Sequence, residues 1–269
     1  MIPKIIHYCW FGGNPLPELA QKCIASWKKF LPGYEIKEWN ESNYDVRKIT
    51  YTAQAYDAKK YAFVSDYARF DILYQYGGVY FDTDVEVIKP MDDILANGAF
   101  LGLEKTDSIQ IASGLGIACE KEDEMYARIL DSYRKSSFLN SDGSHNLLTV
   151  VKRVTDIFEP FGFVKENRVQ KIKGIMLYPT EYFCPKDLMS GELNITENTH
   201  TIHHYDGSWM PLIQKKTFEY GQNIYQKYGK NFLSQNLVRI RIFFFRFHED
   251  GIKKTVQFYM SKFRGKTNE

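Results

Sequence analysis

The stretch 62–87 constrains the chain more than any other, because it orders a helix, a glycine pair, a short strand and two carboxylates. Ser65 is a good N-cap and Asp66 suits the positive end of a helix dipole, which predicts a helix that begins at Ser65. Gly77 and Gly78 then end this helix. We therefore expect a buried helix that leads directly into a strand.

Two pairs of polar side chains follow from this order. Within the helix Asp66 and Arg69 are three positions apart, so they share one face. Residues 79–81 are strand formers, and if the chain stays extended beyond them, Asp82 and Asp84 project to the same side. The stretch thus predicts two acids at the end of a strand, close to a helix with one polar edge.

The surrounding pattern is that of an α/β protein. Residues 4–10 favour a buried strand, 17–30 a helix with one apolar side, and 34–39 a second strand. A strand-helix-strand order predicts parallel pairing with helices on the faces of the sheet. Further strands are predicted at 85–88, 99–103, 109–118, 174–178 and 201–204, and further helices from about 52 and at 91–96, 122–135 and 147–158.

The strand 109–118 contains the sequence S-G-L-G at 113–116. Glycine has no side chain, so a ligand or another backbone can come close at these positions. The same glycines are typical of a β-bulge. The sequence leaves both interpretations open.

Composition limits the class of protein. With 269 residues, of which 44% are hydrophobic, the chain can bury the core of one large domain. Its 4 cysteines lack C-x-x-C spacing, so neither a disulfide framework nor a zinc knuckle is predicted and a reducing compartment fits. No signal peptide is visible and no apolar run reaches ~18 residues, so we expect a cytoplasmic protein, soluble or peripheral at the inner face of a membrane. We predict a catalytic domain at 1–215 and a helical tail at 216–269.

The tail differs in charge from the rest of the chain. Residues 237–269 hold 8 Lys/Arg against 3 Asp/Glu, whereas the remainder holds 27 against 30. Arg239, Arg246 and Lys253 recur every seven positions, which gives an apolar, aromatic-rich helix a cationic edge and suits an anionic membrane surface. A terminal helix packed on the core explains the pattern equally well. Nucleic acid is not expected as a partner, because the body is slightly acidic.

The acid pair suggests a metal site. Two carboxylates at the carboxyl end of a parallel strand suit Mg²⁺ or Mn²⁺, and open α/β sheets bind ligands at that edge. Two solvated acids that only cap a strand are the plainer interpretation. The nearby Asp66 and Arg69 favour the metal site.

Three motifs together resemble glycosyltransferase family 32. They are S-D-Y-A-R-F-D-I-L-Y-Q-Y-G-G-V-Y-F-D-T-D-V-E-V at 65–87, the opening I-P-K-I-I-H-Y-C-W-F-G-G, and the late H-H-Y-D-G-S-W. The similarity covers most of residues 1–210. It implies a GT-A fold, which is the Rossmann-like α/β fold of nucleotide-sugar transferases. This fold has a mixed, mainly parallel central sheet, and here a helical tail would follow it.

The resemblance also implies roles for the early residues. Trp10 would stack near the nucleotide base, and Asp66 and Arg69 would hold the ribose and the donor sugar or diphosphate. Asp82 would touch ribose and sugar, and Asp84 would bind the metal directly. Asp82, Asp84 and Arg69 are accordingly the predicted catalytic residues.

The late motif would complete the site. By the same resemblance His204 supplies a second metal ligand, with His203 as the alternative. Ser208 and Trp209 would lie at the diphosphate. Tyr205 stands where many relatives have Trp.

The implied activity is retaining, metal-dependent transfer of a hexosyl residue from a nucleotide sugar. UDP-sugars are favoured over GDP-sugars, and the acceptor would be a saccharide or lipid-linked saccharide, in synthesis of a bacterial surface polysaccharide such as a capsule. The metal and Arg69 would neutralise the leaving diphosphate while the anomeric centre becomes oxocarbenium-like. Attack by the acceptor from the departing face is expected. If a carboxylate acts as the nucleophile instead, Glu104 is the candidate.

Two other classes of function stay open at this point. In an aspartyl-phosphate phosphatase Asp82 would attack phosphorus and Asp84 would be the acid. That motif ordinarily ends the first strand of its domain, whereas this one follows several elements. A non-catalytic sugar-binding or membrane-adaptor protein would have lost catalytic residues from this site. The complete set of polar residues argues against such a loss.

Overall fold

The protein is described by a computed structural model over residues 1–207, 212–229, 231–245, 247 and 251. It divides into two compact units, one formed by 1–186 with 194–206 and the other by 187–193 with 207–269. The boundary after residue 215 stays a prediction.

The first unit contains the strands and most of the helices. Its strands are β1 (Ile5–Cys9), β2 (Glu35–Trp39), β3 (Gly78–Tyr80), β4 (Val85–Val87), β5 (Phe100–Lys105), β6 (Ile109–Cys119), β7 (Gln170–Ile172), β8 (Ile175–Tyr178) and β9 (Thr201–His203). Its helices are α1 (Glu18–Phe30), α2 (Thr50–Asp57), α3 (Tyr61–Tyr76), α4 (Asp92–Leu95), α5 (Glu124–Arg134), α6 (Val150–Phe158) and α7 (Thr180–Phe183).

Seven strands form one mixed sheet in the order β2-β1-β3-β6-β5-β8-β7. β1 is parallel to β2 and β3, and β5 is parallel to β8, whereas β6 is antiparallel to both its neighbours and β7 is antiparallel to β8. Within this sheet three of the described pairings are parallel and three are antiparallel, so the sheet is less parallel than predicted. The α/β class with a mixed central sheet is confirmed.

A second, two-stranded sheet pairs β4 with β9 in antiparallel fashion. Val85 lies opposite His203, and Val87 lies opposite Thr201. This pairing joins the residue that follows the acid pair to the late motif, although the two are far apart in the sequence.

Helix α3 ends as predicted but begins earlier. It starts at Tyr61, and the hydroxyl of Ser65 donates to the Tyr61 carbonyl at 3.2 Å, so Ser65 lies inside the helix rather than capping it. Gly77 ends the helix with φ at +63° and donates its amide to the Leu73 carbonyl. At Gly78 a Cβ would lie 2.6 Å from the Ile5 carbonyl oxygen, which requires glycine where the chain enters the sheet.

The sheet buries apolar residues on both faces. Helices α2, α3, α5 and α6 contribute to one core, and α1, α4 and β4 contribute to the other. The two layers of helices on one sheet are the arrangement that the β1-α1-β2 order predicts.

His7 ties three elements together beneath the acid pair. The Trp39 indole donates to His7 Nδ1 at 3.1 Å, so Nδ1 must be the acceptor and Nε2, 3.0 Å from the Gly77 carbonyl oxygen, carries the proton. Burial lowers the pKa of His7 to about 4. A neutral imidazole therefore joins β1, β2 and the end of α3.

All four cysteines, Cys9, Cys23, Cys119 and Cys184, are buried free thiols. Burial raises the pKa of Cys9 and of Cys23 to about 12. These side chains belong to the core.

The second unit is helical where it is described. It contains α8 (Leu212–Tyr228) and a further helix over residues 232–245. None of the helices in the described ranges has the length and apolarity that crossing a bilayer requires.

Candidate active site

Arg69 lies at the centre of the site and is only 4% exposed. Its Nη2 is 3.0 Å from Asp66 Oδ1 and 3.1 Å from Asp82 Oδ1, and its Nη1 donates to the Ser113 hydroxyl at 3.2 Å. The predicted shared face of Asp66 and Arg69 is confirmed. One guanidinium group thus bridges helix α3, the second residue after β3, and strand β6.

Asp82 is held from two further directions. The Tyr80 hydroxyl donates to Asp82 Oδ1 at 3.1 Å, and the Arg69 guanidinium lies 5.1 Å from the centre of the Tyr80 ring. A Cβ at position 114 would overlap Asp82 Oδ2, so Gly114 allows the carboxylate to approach β6. The register of β5 against β6 also shifts between Leu101 and Gly102. The glycine-containing strand therefore provides both a close approach and an irregularity.

The charges of this cluster do not balance. Desolvation raises the pKa of Asp66 to about 6 and raises that of Asp82, while Arg69 opposes both shifts. Desolvation also disfavours the charge on Arg69, but the neighbouring acids raise its pKa and keep it cationic. When both carboxylates are ionised, one cation faces two anions. The cluster can therefore accept hydrogen bonds from ligand hydroxyl groups as well as present a positive charge to a phosphate.

The chain does not stay extended between the two acids. The Val85 amide donates to the Asp82 carbonyl at 3.0 Å, which closes a turn over residues 82–85. Asp84 consequently meets a different set of partners. Its Oδ1 lies 3.3 Å from His203 Nε2, and its Oδ2 accepts the Asp206 amide at 3.0 Å.

Asp84 is the more acidic member of the pair. Desolvation alone would raise its pKa, but the positive charge on His203 and the Asp206 amide outweigh it and hold the pKa of Asp84 at about 2. Desolvation likewise opposes the charge on His203, yet Asp84 raises the pKa of His203 well above its ordinary value. The two side chains form a partly buried ion pair.

His203, rather than His204, is the imidazole beside Asp84. His204 Nε2 lies 2.8 Å from Glu86 Oε2, and Glu86 also accepts the Lys22 ammonium at 2.9 Å. The reason is the period of a strand, since successive residues at the end of β9 point to opposite sides. The structure thus places His203, the alternative of the sequence prediction, beside Asp84, and which imidazole would bind a metal stays a prediction.

The other predicted residues are placed as follows. Trp10 is half-buried after β1, where it packs against the core, and its indole N–H donates to the Asn14 carbonyl at 2.6 Å. Glu104 on β5 is 9% exposed, and desolvation raises its pKa while the charge on His203 opposes the shift. Ser208 and Trp209 lie outside the described residues.

Sequence reasoning missed several contributors. Tyr80 had a usable signal, because it precedes Asp82 by two positions on a strand and so shares its side. Lys186, which donates to the His204 carbonyl at 2.9 Å, had none. The same holds for Arg153, whose buried guanidinium lies 4.1 Å from the centre of the Tyr133 ring and whose charge favours the ionised form of Asp66.

The donors present suit a hard divalent cation. Within the described part of the chain, no three His, Cys, Asp or Glu side chains are arranged as a ready metal site. Asp84 is nevertheless ionised, and its negative charge repels that of Asp82. The buried Nδ1 of His203 has no hydrogen-bond partner among the described residues. Carboxylate oxygen and imidazole nitrogen are donors that Mn²⁺ accepts, so the residue set fits.

Residues 17–101, which include α3 and the acid pair, match the protein family described as "Glycosyltransferase sugar-binding region containing DXD motif". Over these residues the chain is similar to the DXD-containing glycosyltransferases of the family 32 type. The D-x-D of that description is Asp82-Thr83-Asp84.

Similar proteins include inositol phosphoceramide mannosyltransferase 1 of Schizosaccharomyces pombe, which is 30% identical over 139 residues, 48% of this chain and 42% of the relative. The uncharacterized glycosyltransferase L373 of Acanthamoeba polyphaga mimivirus is 26% identical over 228 residues, 80% of this chain and 86% of the relative. The match therefore spans less than half of the yeast mannosyltransferase.

Solved structures with some similarity are also glycosyltransferases. The PaToxG glycosyltransferase has a TM-score of 0.47 at 21% identity and covers 59% of this chain and 69% of its own. The galactosyltransferase LgtC, solved with donor and acceptor sugar analogues, has a TM-score of 0.40 at 10% identity and covers 81% of this chain and 94% of its own.

Proposed function

We propose that this DXD-containing glycosyltransferase moves a hexosyl residue from a nucleotide sugar to a saccharide acceptor, with retained anomeric configuration and with Mn²⁺ or Mg²⁺. One observation carries the proposal: Arg69 is buried between Asp66 and Asp82, next to an ionised Asp84. No observation of the site favours the phosphatase or adaptor alternatives.

The Arg69 cluster is suited to the donor. Its guanidinium supplies a fixed positive charge for the diphosphate, in a partly desolvated site where that charge acts strongly. Asp66 and Asp82 can accept hydrogen bonds from hydroxyl groups of the ribose or sugar. The half-buried indole ring of Trp10 suits a nucleotide base, and we favour uracil.

Asp84 and His203 would hold the metal, and His203 would have to lose the proton that it carries beside Asp84 in order to do so. When bound, the cation supplies further positive charge for the leaving diphosphate. The chain's own contribution is orientation, because His203 and the Asp206 amide fix the Asp84 carboxylate while Tyr80 fixes that of Asp82. Both acids are thus preorganised.

Retention is best explained by attack from the face that the diphosphate leaves. Glu104 is the alternative nucleophile, and its burial acts against the ionised form that a nucleophile requires. We therefore place Glu104 second.

The acceptor is the least constrained part of the proposal. The S. pombe relative described above and a second one, inositol phosphoceramide mannosyltransferase 3, are named for mannosyl transfer to inositol phosphoceramide, which adds mannose to the donors worth testing and supports a lipid-linked acceptor. The role in bacterial surface polysaccharide or capsule synthesis and the cytoplasmic location remain our proposals.

Donor hydrolysis tests the proposal directly. We would incubate the chain with a panel of UDP- and GDP-sugars and Mn²⁺ and expect one donor to be cleaved, with loss of turnover on chelation. Asp84→Asn should lower this activity by about a thousandfold while the thermal transition stays cooperative, because it removes the proposed anionic metal ligand. Glu86→Gln, which alters a nearby acid that faces His204, is the matched control and should retain most activity. Cleavage that persists in Asp84→Asn would refute the metal assignment, and cleavage of none of the sugars would refute the proposed function.

A further inference from the structure

The helix over residues 232–245 uses one side for packing inside the second unit. Ser234 and Val238 are buried on this side. Val238 faces Gly221 of α8, where a Cβ would lie 3.6 Å from its Cγ1. The Arg241 guanidinium lies 5.6 Å from the centre of the Tyr220 ring, also on α8. One side of the helix therefore packs against α8.

A second side of the same helix is apolar and exposed. Leu233, Leu237, Ile240 and Phe244 are 73%, 47%, 54% and 57% exposed, respectively. We call these four residues the exposed stripe. Their separations of four, three and four positions place them on one face of the helix. A continuous stripe of this kind is costly in water and marks a binding surface more often than isolated apolar residues do.

The charge of the sequence segment that contains the exposed stripe indicates what it binds. Along the sequence, residues 212–269 hold 12 Lys/Arg against 4 Asp/Glu, whereas residues 1–211 hold 23 against 29. Lys216, Lys227 and Arg239 are exposed in the described part of this segment. Apolar and cationic groups together are the features that attach an amphipathic helix to anionic lipid.

We propose that the exposed stripe lies in the headgroup region of an anionic lipid membrane, with the surrounding Lys and Arg side chains on the lipid phosphates. This surface is separate from sugar transfer and does not depend on the proposed donor. A second copy of the chain fits less well, because it would bring two strongly cationic segments together. A nucleic acid would leave leucine, isoleucine and phenylalanine side chains uncovered.

Vesicle co-sedimentation of the full chain tests the proposal. We expect binding to phosphatidylcholine vesicles that contain about one third phosphatidylglycerol, and much weaker binding to phosphatidylcholine alone. The variant Leu237→Ser/Ile240→Ser/Phe244→Ser should lower the partition coefficient by roughly a hundredfold. The variant Lys227→Gln/Arg239→Gln should lower it by roughly thirtyfold at low salt.

The matched control is Leu147→Ser/Val169→Ser/Ile195→Ser, which removes three exposed apolar side chains of the first unit and should bind vesicles as the unaltered chain does. Circular dichroism would establish that each variant is folded. Absence of binding by the unaltered chain, or equal binding by the stripe variant and the control, would overturn the proposal. A dimer in light scattering that becomes monomeric only in the stripe variant would assign the stripe to a second copy instead.

Discussion

The two acids of the D-x-D motif lie in opposite electrostatic settings although one residue separates them. Asp82 joins Arg69 and Tyr80, and desolvation raises its pKa in spite of the guanidinium. Asp84 joins His203 and the Asp206 amide, which hold its pKa at about 2. The turn between them is the cause, because it directs each carboxylate to a different part of the fold. The comparison teaches that Asp82 is a positioned hydrogen-bond acceptor and Asp84 a permanent anion.

The largest expected effect lies on the Asp82 side. Arg69→Met should lower the free energy of unfolding by about 3–5 kcal/mol, because it leaves Asp66 and Asp82 without their buried counter-charge. Urea denaturation would measure the change.

Arg128→Met is the control for Arg69→Met. Arg128 pairs with Glu124 on the exposed surface of α5 and should leave stability nearly unchanged, because exposed ion pairs contribute little. Equal midpoints for the two variants would show that Arg69 is not the residue that stabilises the Asp82 side.

An intermediate effect is expected on the Asp84 side. His203→Gln should weaken Mn²⁺ binding by about ten- to a hundredfold, since it removes the imidazole that orients Asp84 and is positioned to bind the metal. His204→Gln removes an imidazole that faces Glu86 and should leave the affinity within about threefold. Calorimetric titration of Mn²⁺ into both variants separates them. If only His204→Gln lost affinity, the original assignment of His204 would be restored and the comparison of the two acids would need revision.

The smallest expected effect is a change of donor affinity with pH, which tests whether desolvation raises the pKa of Asp66. Because the pKa of Asp66 is raised to about 6, this acid becomes protonated as the pH falls below 6, and we expect donor affinity to fall by about tenfold at pH 5. Arg69, Asp82 and Arg153 are the charged groups that act on it. Asp66→Asn should bind donor weakly at every pH and lack this acid limb, which fluorescence titration would reveal.

Stability should change with pH in the opposite direction from donor binding. A carboxyl group whose pKa is higher in the folded than in the unfolded state binds protons more tightly when folded. The contribution of Asp66 to stability is therefore present at low pH and is lost as the pH rises from 3.8 to about 6.

If donor affinity stayed constant down to pH 5, the inferred desolvation of Asp66 would be wrong.

Local spacing predicted one side of the site well. The three-position separation of Asp66 and Arg69 and the helix end at Gly77 depend on neighbours in the sequence, and the structure shows both. The start of α3 was misplaced because Ser65, a good cap, also bonds back to a helix carbonyl when it lies inside a helix.

The other side of the site could not be read from spacing. The turn over residues 82–85 and the choice of His203 over His204 depend on the pairing of β4 with β9, which joins distant segments. In an extended chain, two consecutive histidines point to opposite sides. The motif therefore predicts one imidazole on each side, but not which of the two lies on which side. Which side faces Asp84 is decided by tertiary structure.

The four buried cysteines make the chain convenient for site-specific fluorescent labelling. A thiol reacts as its thiolate, and thiols that are shielded from solvent react slowly with maleimides near neutral pH, all the more where burial raises the pKa to about 12, as it does for Cys9 and Cys23. A single cysteine placed at an exposed position, such as Leu237→Cys, would therefore accept an environment-sensitive dye without removal of the native residues. The emission colour of that dye would then report whether residue 237 leaves water when vesicles are added.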